Sequence, residues 1–210
     1  IMITVTELTV ILASYLVGCF TSGYYYVRWR TGQDIRQLGS GSVGARNVGR
    51  VLGPWGFVIT LLVDATKGAL AVGLTVFFGV NPDAQVACIV AVVVGHNWPM
   101  QLRFLGGKGV ATSIGAILAY DPFIALVLVV VFLPVFGLLR SFTLSGMLAF
   151  ALSPLLVFLC KLGNVEVAAI SFVAILVVLA HARNIREEIA RLHAEPRVKE
   201  RSGTHDKGAE

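Results

Sequence analysis

Long apolar runs, separated by short polar stretches, dominate the hydrophobic pattern of this chain. The first run covers residues 3–27 and is too long for the apolar core of a signal peptide, so we expect it to be the first membrane span. Similar runs follow at residues 55–80, 84–102, 123–139, 142–160 and 165–180. Because roughly 20 helical residues cross a hydrocarbon core, the pattern predicts an all-α integral membrane protein.

The short apolar stretch at residues 110–120 leaves the number of spans open. It is either a short or tilted helix of its own, or the first part of one kinked span that continues through Pro122 to residue 139. Charge placement favours separate crossings. With seven spans, every Lys and Arg except Lys67 and Lys161 lies on one side, and Lys67 falls within a span. The positive-inside rule then places the N-terminus outside and the C-terminus in the cytoplasm.

We therefore predict one transmembrane helical domain at residues 1–182, with its active site on the cytoplasmic face. A hydrophilic cytoplasmic tail follows at residues 183–210, and its distal part is expected to be disordered.

Composition agrees with a membrane protein. Hydrophobic residues make up 56% of the chain and charged residues 14%, and the mean hydropathy is +0.80. The net charge of +5 is explained by the positive-inside bias and by anionic lipid headgroups, so it does not imply nucleic acid binding. Cys19, Cys88 and Cys160 lie in apolar runs without metal-ligand spacing, which predicts small buried hydrophobic side chains.

The first polar cluster on the predicted cytoplasmic side covers residues 39–50. Glycines there alternate with hydroxyl, amide and guanidinium groups. Such a loop can form a nest of backbone amides, to which Arg46 or Arg50 would add a bidentate phosphate contact. The alternative is a flexible basic loop that touches lipid headgroups.

The second cluster is the glycine-rich stretch between His96 and Thr112. Gly106, Gly107 and Gly109 surround Lys108, so the backbone could approach an anion closely while the lysine supplies charge. A turn between two helices is the alternative.

The third cluster follows the last apolar run, where His181 and Asn184 share one helix face. This pair could contact a ligand, or His181 could simply end the helix at the membrane interface. Within the second span, Asp64 and Lys67 also share a face, as a structural ion pair or as part of a site.

The spacing of the polar residues excludes several well-known motifs. Lys108 is followed by Gly109, so the phosphate loop of nucleotide-binding proteins is absent. Neither His96 nor His181 is followed by an acyltransferase-type aspartate, and the Ser40 region lacks the nucleophile elbow of hydrolases. The histidines are too scattered for a metal site, so we predict neither a metal nor a cofactor.

These clusters resemble the motifs of the acyl-phosphate-dependent glycerol-3-phosphate acyltransferases, the PlsY family of small bacterial membrane enzymes. In the first cluster the matching residues are Asp34, Ile35, Arg36, Gly39, Ser40, Gly41, Gly44, Ala45, Asn47, Arg50, Leu52 and Gly53. Later matches are Asp64, Lys67, Gly68, Gly95, His96, Pro99, Leu102, Phe104, the run 106–112, His181, Asn184 and Ile185.

The chain departs from the family pattern at positions near the expected site. Ser42 stands where the family has Asn, Arg46 where it has Thr, and Ala180 and Glu187 where it has Arg. A family motif with two serines appears here as Thr143-Leu144-Ser145-Gly146. Arginines at shifted positions could restore the missing charge, or the substrate or the activity could differ.

The resemblance implies seven transmembrane helices in the bacterial cytoplasmic (inner) membrane and the first step of phospholipid synthesis. In that reaction an acyl group moves from acyl phosphate to the 1-hydroxyl of glycerol 3-phosphate, giving lysophosphatidic acid and phosphate without coenzyme A. The alternative is a divergent relative that binds or transports an anion or lipid headgroup.

The resemblance also implies roles for individual residues. Lys108, Arg50 and the amides of residues 39–41 and 106–107 would hold phosphate. His181 and Asn184 would orient the glycerol hydroxyl, with His181 or a substrate phosphate as the base. The predicted site comprises the catalytic candidates His181, Asn184, Lys108 and Ser40, and the substrate-binding candidates Gly39, Gly41, Asn47, Arg50, His96, Gly106, Gly107, Thr112 and Thr143.

Overall fold

A computed structural model describes residues 4–160 and 163–181, and the regular secondary structure in these ranges is helical. The helices are α1 (Val5–Cys19), α2 (Ser22–Thr31), α3 (Ala45–Leu52), α4 (Pro54–Phe77), α5 (Pro82–Asn97), α6 (Val110–Tyr120), α7 (Pro122–Leu139), α8 (Phe142–Leu159) and α9 (Asn164–His181). Two 3₁₀ turns lie in the connections, at Ile35–Gln37 and Met100–Leu102. The all-α prediction is confirmed.

Within the described ranges, five helical segments are long and apolar enough to cross a membrane: Val5–Thr31, Pro54–Phe77, Pro122–Leu139, Phe142–Leu159 and Asn164–His181. Helix α6 is separate from α7, because the Asp121 side chain accepts a hydrogen bond from the Phe123 amide and begins a new helix. Helices α5 and α6, with 16 and 11 residues, are shorter than a typical span. The count of seven and the orientation of the termini stay predictions.

The first apolar run, predicted as one membrane span, is broken into α1 and α2, a break that the hydrophobic pattern did not indicate. The break at Phe20 and Thr21 leaves carbonyl groups without a partner in the helix. Side chains from elsewhere satisfy them: Lys67 Nζ lies 3.1 Å from the Gly18 carbonyl oxygen, and Gln101 donates to the Cys19 carbonyl. Irregular backbone at membrane depth is tolerated when protein groups satisfy it in this way.

Glycines allow two helix pairs to pack closely. A Cβ on Gly115 of α6 would lie 1.9 Å from the Ala65 carbonyl oxygen of α4, and a Cβ on Gly95 of α5 would lie 2.2 Å from the Tyr15 carbonyl oxygen of α1. Side chains at either position would force the helices apart. Close approach at small residues is the usual way in which membrane helices associate.

The polar stretch between the first two spans is more ordered than its glycine content suggests. Its second half forms α3, and a small core of buried residues lies between α2, α3 and the 3₁₀ turns, formed by Val27, Ile35, Val43, Val48 and Leu102. This core holds the first two polar clusters beside each other. Cys19 and Cys88 are buried as predicted, but Cys160 is exposed because it follows α8 at its end.

Candidate active site

One pocket brings together groups from all three polar clusters. Its polar side is lined by Ser40, Ser42, Arg46, Asn47, Arg50, Asp64, His96, Lys108, Thr143 and His181. Its apolar lining includes Phe57, Leu61, Ile114, Phe142 and Met147. The whole lining surrounds about 930 Å³ of space, counting the open mouth. The pocket therefore suits a ligand with an anionic head and an apolar tail.

The Asn47 side chain shapes the first loop. Its Nδ2 donates to the carbonyl oxygens of Leu38 and Ser42, each at 2.9 Å, and its Oδ1 accepts from the Ser40 amide at 2.8 Å. Gly39 packs against this amide so closely that a Cβ would lie 2.2 Å from Asn47 Oδ1. Asn47 is thus a structural residue of the loop, and its donors are directed at backbone and not at the pocket.

Backbone amides in both glycine loops already have carbonyl partners. The Gly106 and Gly107 amides donate to the carbonyl oxygens of Asn97 and His96 at 3.1 and 3.0 Å, and the Gly41 amide donates to Leu38 at 3.0 Å. With the Ser40 amide bonded to Asn47, four of the amides expected to form anion nests are occupied. The nest hypothesis therefore does not hold for these four groups.

In the part of the chain that the structure describes, three cations line the pocket, two on α3 and one in the second glycine loop. Arg46 and Arg50 are exposed residues of α3, one turn apart, and Lys108 is half-buried in the glycine loop before α6. The Arg46 guanidinium lies over the Phe142 ring, 5.7 Å from its centroid, and donates to the Thr143 hydroxyl. Arg46 therefore joins α3 to the start of α8 at the edge of the pocket.

A buried network reaches the pocket through Asp64 and His96. Asp64 and Lys67, predicted to share a helix face, form an ion pair with 3.2 Å between Oδ1 and Nζ. Ser22 of α2 donates to the same Asp64 oxygen at 3.0 Å, and Lys67 Nζ lies 2.8 Å from His96 Nδ1. The network connects the broken first span, α4 and the end of α5.

His181, the last described residue of α9, also lines the pocket. Its Nδ1 lies 2.8 Å from the Val177 carbonyl oxygen. Since a carbonyl oxygen can only accept, Nδ1 carries the hydrogen, and in the neutral ring Nε2 has a lone pair. His181 can therefore accept a proton from a ligand hydroxyl.

Comparisons with known proteins agree with this geometry. A family model described as glycerol-3-phosphate acyltransferase matches residues 8–191. The chain belongs to the glycerol-3-phosphate acyltransferase family. The predicted resemblance is confirmed, and with it the assignment as a membrane acyltransferase of phospholipid synthesis.

Relatives are similar to the chain over nearly their whole lengths. Glycerol-3-phosphate acyltransferase 1 of Desulfitobacterium hafniense (strain Y51) is 46% identical, over 86% of this chain and 90% of the relative. Glycerol-3-phosphate acyltransferase of Synechococcus sp. (strain CC9902) is 39% identical, over 93% and 97%.

Solved structures of PlsY, an integral membrane glycerol 3-phosphate acyltransferase, share the fold. Its glycerol 3-phosphate form is 31% identical, with a TM-score of 0.81 over 88% of this chain and 92% of that one. Its lysophosphatidic acid form gives a TM-score of 0.78 at 29% identity over the same shares.

Two departures from the acyltransferase motifs meet at one place in the structure. Arg46, which stands in place of a threonine, contacts Thr143 of α8, and Gly146 lines the same pocket one turn further along. The space beside Gly146 is open, since a Cβ there would meet no atom within 4 Å. The added guanidinium and the missing serine side chain thus belong to one region of the acyltransferase pocket.

The other predicted site residues line a second opening, are buried away from both openings, or lie outside the described residues. Gly39, Gly41, Gly106 and Gly107 line a second opening, which Ser40 shares with the main pocket and to which the buried Asn97 also contributes. Thr112 is fully buried in α6 and lines neither opening, so its position gives no support for substrate binding. Asn184 and Glu187 lie outside the described residues.

Sequence reasoning missed the contacts that join the two glycine loops of this acyltransferase. The Arg36 guanidinium binds the Asp34 carboxylate, with an Nη2–Oδ2 distance of 2.6 Å, and its Nη1 donates to the Leu102 carbonyl at 2.9 Å. The Arg36 hydrogen bond holds the pKa of Asp34 below its ordinary value of 3.8. The spacing of Asp34 and Arg36 was visible in the sequence, but the partner 66 residues away was not.

Proposed function

We propose that this chain transfers a fatty acyl group from acyl phosphate to the 1-hydroxyl of sn-glycerol 3-phosphate. The hydroxyl oxygen attacks the acyl carbonyl carbon, and the bond from that carbon to the phosphate oxygen breaks. Lysophosphatidic acid and inorganic phosphate are the products. No coenzyme A and no metal ion take part in the proposed step.

The observation that carries this proposal is the mixed lining of the pocket, which combines cations with apolar side chains. The cations are Lys108, Arg46 and Arg50, while Phe57 and Ile114 belong to the apolar lining. Both substrates carry a phosphate and one carries an acyl chain, so a lining of cations and apolar side chains matches their chemistry. The glycerol 3-phosphate and lysophosphatidic acid forms of the PlsY neighbour add support, because they name one substrate and the product of this reaction.

Electrostatic stabilisation is the main catalytic effect in this proposal. Lys108 stabilises the charge that develops on the acyl carbonyl oxygen and on the departing phosphate. Arg50 and Arg46 hold phosphate through guanidinium groups, which suit paired oxygen contacts. The Ser40 and Thr143 hydroxyls provide neutral donors at the edges of the pocket.

The hydroxyl proton goes to His181 or to a phosphate oxygen of the substrates. The lone pair on His181 Nε2 makes the imidazole a competent acceptor. We infer that Asn184 orients the same hydroxyl, as the motif resemblance implies. We further place the enzyme in the bacterial cytoplasmic membrane with this pocket on the cytoplasmic side, where the positive-inside bias puts the basic loops.

The decisive experiment measures phosphate release and lysophosphatidic acid formation by the purified protein in lipid. Palmitoyl phosphate is supplied with and without glycerol 3-phosphate. We expect both products only when glycerol 3-phosphate is present. Well-folded protein that binds palmitoyl phosphate but forms neither product would contradict acyl transfer and would favour a role in anion or headgroup binding.

A further inference from the structure

The buried network determines which nitrogen of His96 carries a hydrogen. Lys67 Nζ lies 2.8 Å from His96 Nδ1. An ammonium group has three hydrogens and no lone pair, so Nδ1 must be the acceptor in this contact. If Nδ1 carried a hydrogen, as it does in the Nδ1–H tautomer and in the charged imidazolium, that hydrogen would point at the hydrogens of the Lys67 ammonium group. The neutral ring therefore carries its hydrogen on Nε2.

The surroundings of Lys67 require it to be charged. Its Nζ also lies 3.1 Å from the Gly18 carbonyl oxygen, 2.5 Å from that of Phe20 and 3.2 Å from Asp64 Oδ1, and these atoms are all acceptors. Asp64 is 1% exposed, and a buried carboxylate needs a nearby cation. Lys67 is the nearer cation, because its Nζ lies 3.2 Å from Asp64 Oδ1, whereas His96 Nδ1 lies 3.8 Å from the same oxygen and beyond hydrogen-bond length.

The opposite edge of the imidazole lies against the glycine loop. A Cβ on Gly107 would be 2.0 Å from His96 Nε2, so only glycine permits this approach. The ring lines the main pocket together with Lys108, the residue that follows Gly107. The polar contacts of His96 that the structure gives for the described residues all involve Nδ1 or its backbone, which leaves the Nε2 hydrogen on the side of the loop and the pocket.

We propose that Lys67 and Asp64 are positioning residues that hold His96 as a neutral Nε2–H donor towards a phosphate oxygen bound beside Lys108. The identity of that phosphate rests on the proposed function, whereas the tautomer follows from the buried contacts alone. His96 and His181 then present opposite capabilities to one pocket. His96 donates a hydrogen bond to an anion, and His181 accepts a proton.

The tautomer is tested by nitrogen NMR of the full chain, labelled with ¹⁵N-histidine, in lipid nanodiscs. The sequence has four histidines, so the His96 signals are assigned by their loss in His96→Asn. If that variant does not fold, variants of His181, His193 and His205 assign His96 by elimination. We expect Nε2–H at neutral pH, with the Nε2 signal moving when inorganic phosphate is added. A hydrogen on Nδ1 in the wild-type protein would overturn the proposal.

Two substitutions of His96 separate the donor role from a structural one. Asparagine places an acceptor near the Nδ1 position and can keep the Lys67 contact, whereas glutamine reaches the Nε2 position with an amide donor. We expect His96→Asn to lower kcat by about 100-fold, the effect of losing one preorganised donor, and His96→Gln to retain more activity. Folded His96→Asn with wild-type kcat, or His96→Gln no better than His96→Asn, would overturn the donor role.

The two tests also separate this inference from the proposed function. If the wild-type protein performs no acyl transfer, the proposed function fails, but the tautomer and its response to inorganic phosphate are still measured. If acyl transfer is present and Lys67→Met leaves His96 in the Nε2–H tautomer, the positioning role of Lys67 is wrong. Size-exclusion chromatography in detergent establishes that each variant is folded before it is compared.

Discussion

The buried network and the cations that line the pocket use charge in different ways. Asp64 and Lys67 are almost completely buried, and their charges are matched by each other, by Ser22 and by backbone carbonyl groups. Arg46 and Arg50 are exposed at the opening of the pocket. The two kinds of charge therefore have different roles in the proposed function. The buried pair holds neighbouring elements in place, and the lining cations are proposed to bind the ligand.

Breaking the buried ion pair between Asp64 and Lys67 is expected to have the largest effect, and that effect is on stability. Asp64→Asn leaves the Lys67 ammonium buried without a carboxylate, and losing one partner of a buried ion pair costs about 3–5 kcal/mol. We expect that loss in the free energy of unfolding, measured by SDS titration in mixed micelles. Activity should fall with it, because His96 loses its support.

A double variant shows whether the cost comes from the unpaired charge. Asp64→Leu combined with Lys67→Met removes both charges, and such replacements are often neutral or stabilising by about 1–4 kcal/mol. The Gly18 and Phe20 carbonyl groups would still lose a donor, so we expect partial recovery of stability. A double variant as unstable as Asp64→Asn would show that the carbonyl contacts, and not the ion pair, dominate.

The lining cations give the next largest effect, on rate instead of stability. Lys108→Ala should lower kcat by about 10²–10³-fold, since one preorganised group that stabilises developing charge is worth about 3–4 kcal/mol. The unfolding free energy should change little because Lys108 is half-buried in a loop. Phosphate release in the presence of glycerol 3-phosphate measures this effect.

Arg30→Ala is the matched control for Lys108→Ala. Arg30 is an exposed cation near the end of α2, where its guanidinium lies 5.9 Å from the ring centroid of the neighbouring Trp29. It is not part of the pocket lining. Equal losses of activity in the two variants would mean that general charge attraction, and not position, explains the effect of Lys108.

The sequence was sufficient for most of the helices, because the hydrophobic pattern of a helix is local. The length of residues 110–120 and Asp121-Pro122 left open a separate short helix or the first part of a kinked span, and charge placement favoured separation; the structure has the separate helix with the same bounds. The pairing of Asp64 with Lys67 followed from their spacing of three residues. These features need only the geometry of a single helix.

Predictions that depended on distant parts of the chain failed or were incomplete. The glycine amides were expected to bind phosphate, but Asn47 and the carbonyl oxygens of His96 and Asn97 occupy several of them. The break after Phe20 was missed because its carbonyl groups are satisfied by Lys67, 47 residues further along the chain. A single sequence does not show which backbone groups a folded loop will already have satisfied.

The motif departures allow a finer test of the lining cations. Arg46→Thr removes a guanidinium that is proposed to hold the substrate phosphate, and losing one hydrogen bond to a charged group costs about 1.5–3 kcal/mol. We expect KM for palmitoyl phosphate to rise about tenfold, with a smaller change in the unfolding free energy. Gly146→Ser alone should be nearly silent, because the space beside Gly146 is open.

The double variant Arg46→Thr with Gly146→Ser tests whether the two departures compensate. If Arg46 replaces hydroxyl contacts to phosphate, the added serine should recover part of the lost affinity. Additive effects would show that the two positions act independently. If the KM for glycerol 3-phosphate rises and the KM for palmitoyl phosphate does not, Arg46 binds the phosphate of the acyl acceptor.

The smallest expected effect on stability concerns the ion pair between Asp34 and Arg36. In its exposure to solvent, this pair is intermediate between the buried network and the cations that line the pocket. The side chains of Asp34 and Arg36 are 16% and 24% exposed. Asp34→Asn should lower the unfolding free energy by about 1 kcal/mol at neutral pH, since it weakens both the ion pair and the cap of the first 3₁₀ turn.

The sign of the pH dependence follows from the lowered pKa of Asp34. Its hydrogen bonds with Arg36 favour the carboxylate in the folded state, so the stabilisation is present above the ordinary pKa of 3.8 and is lost as the pH falls through the lower, folded pKa. The difference in unfolding free energy between the wild-type protein and Asp34→Asn should therefore be constant from pH 6 to 8 and shrink below about pH 4. A difference that stayed the same in acid would mean that the carboxylate charge contributes nothing, and that Arg36 holds the Leu102 carbonyl without help from Asp34.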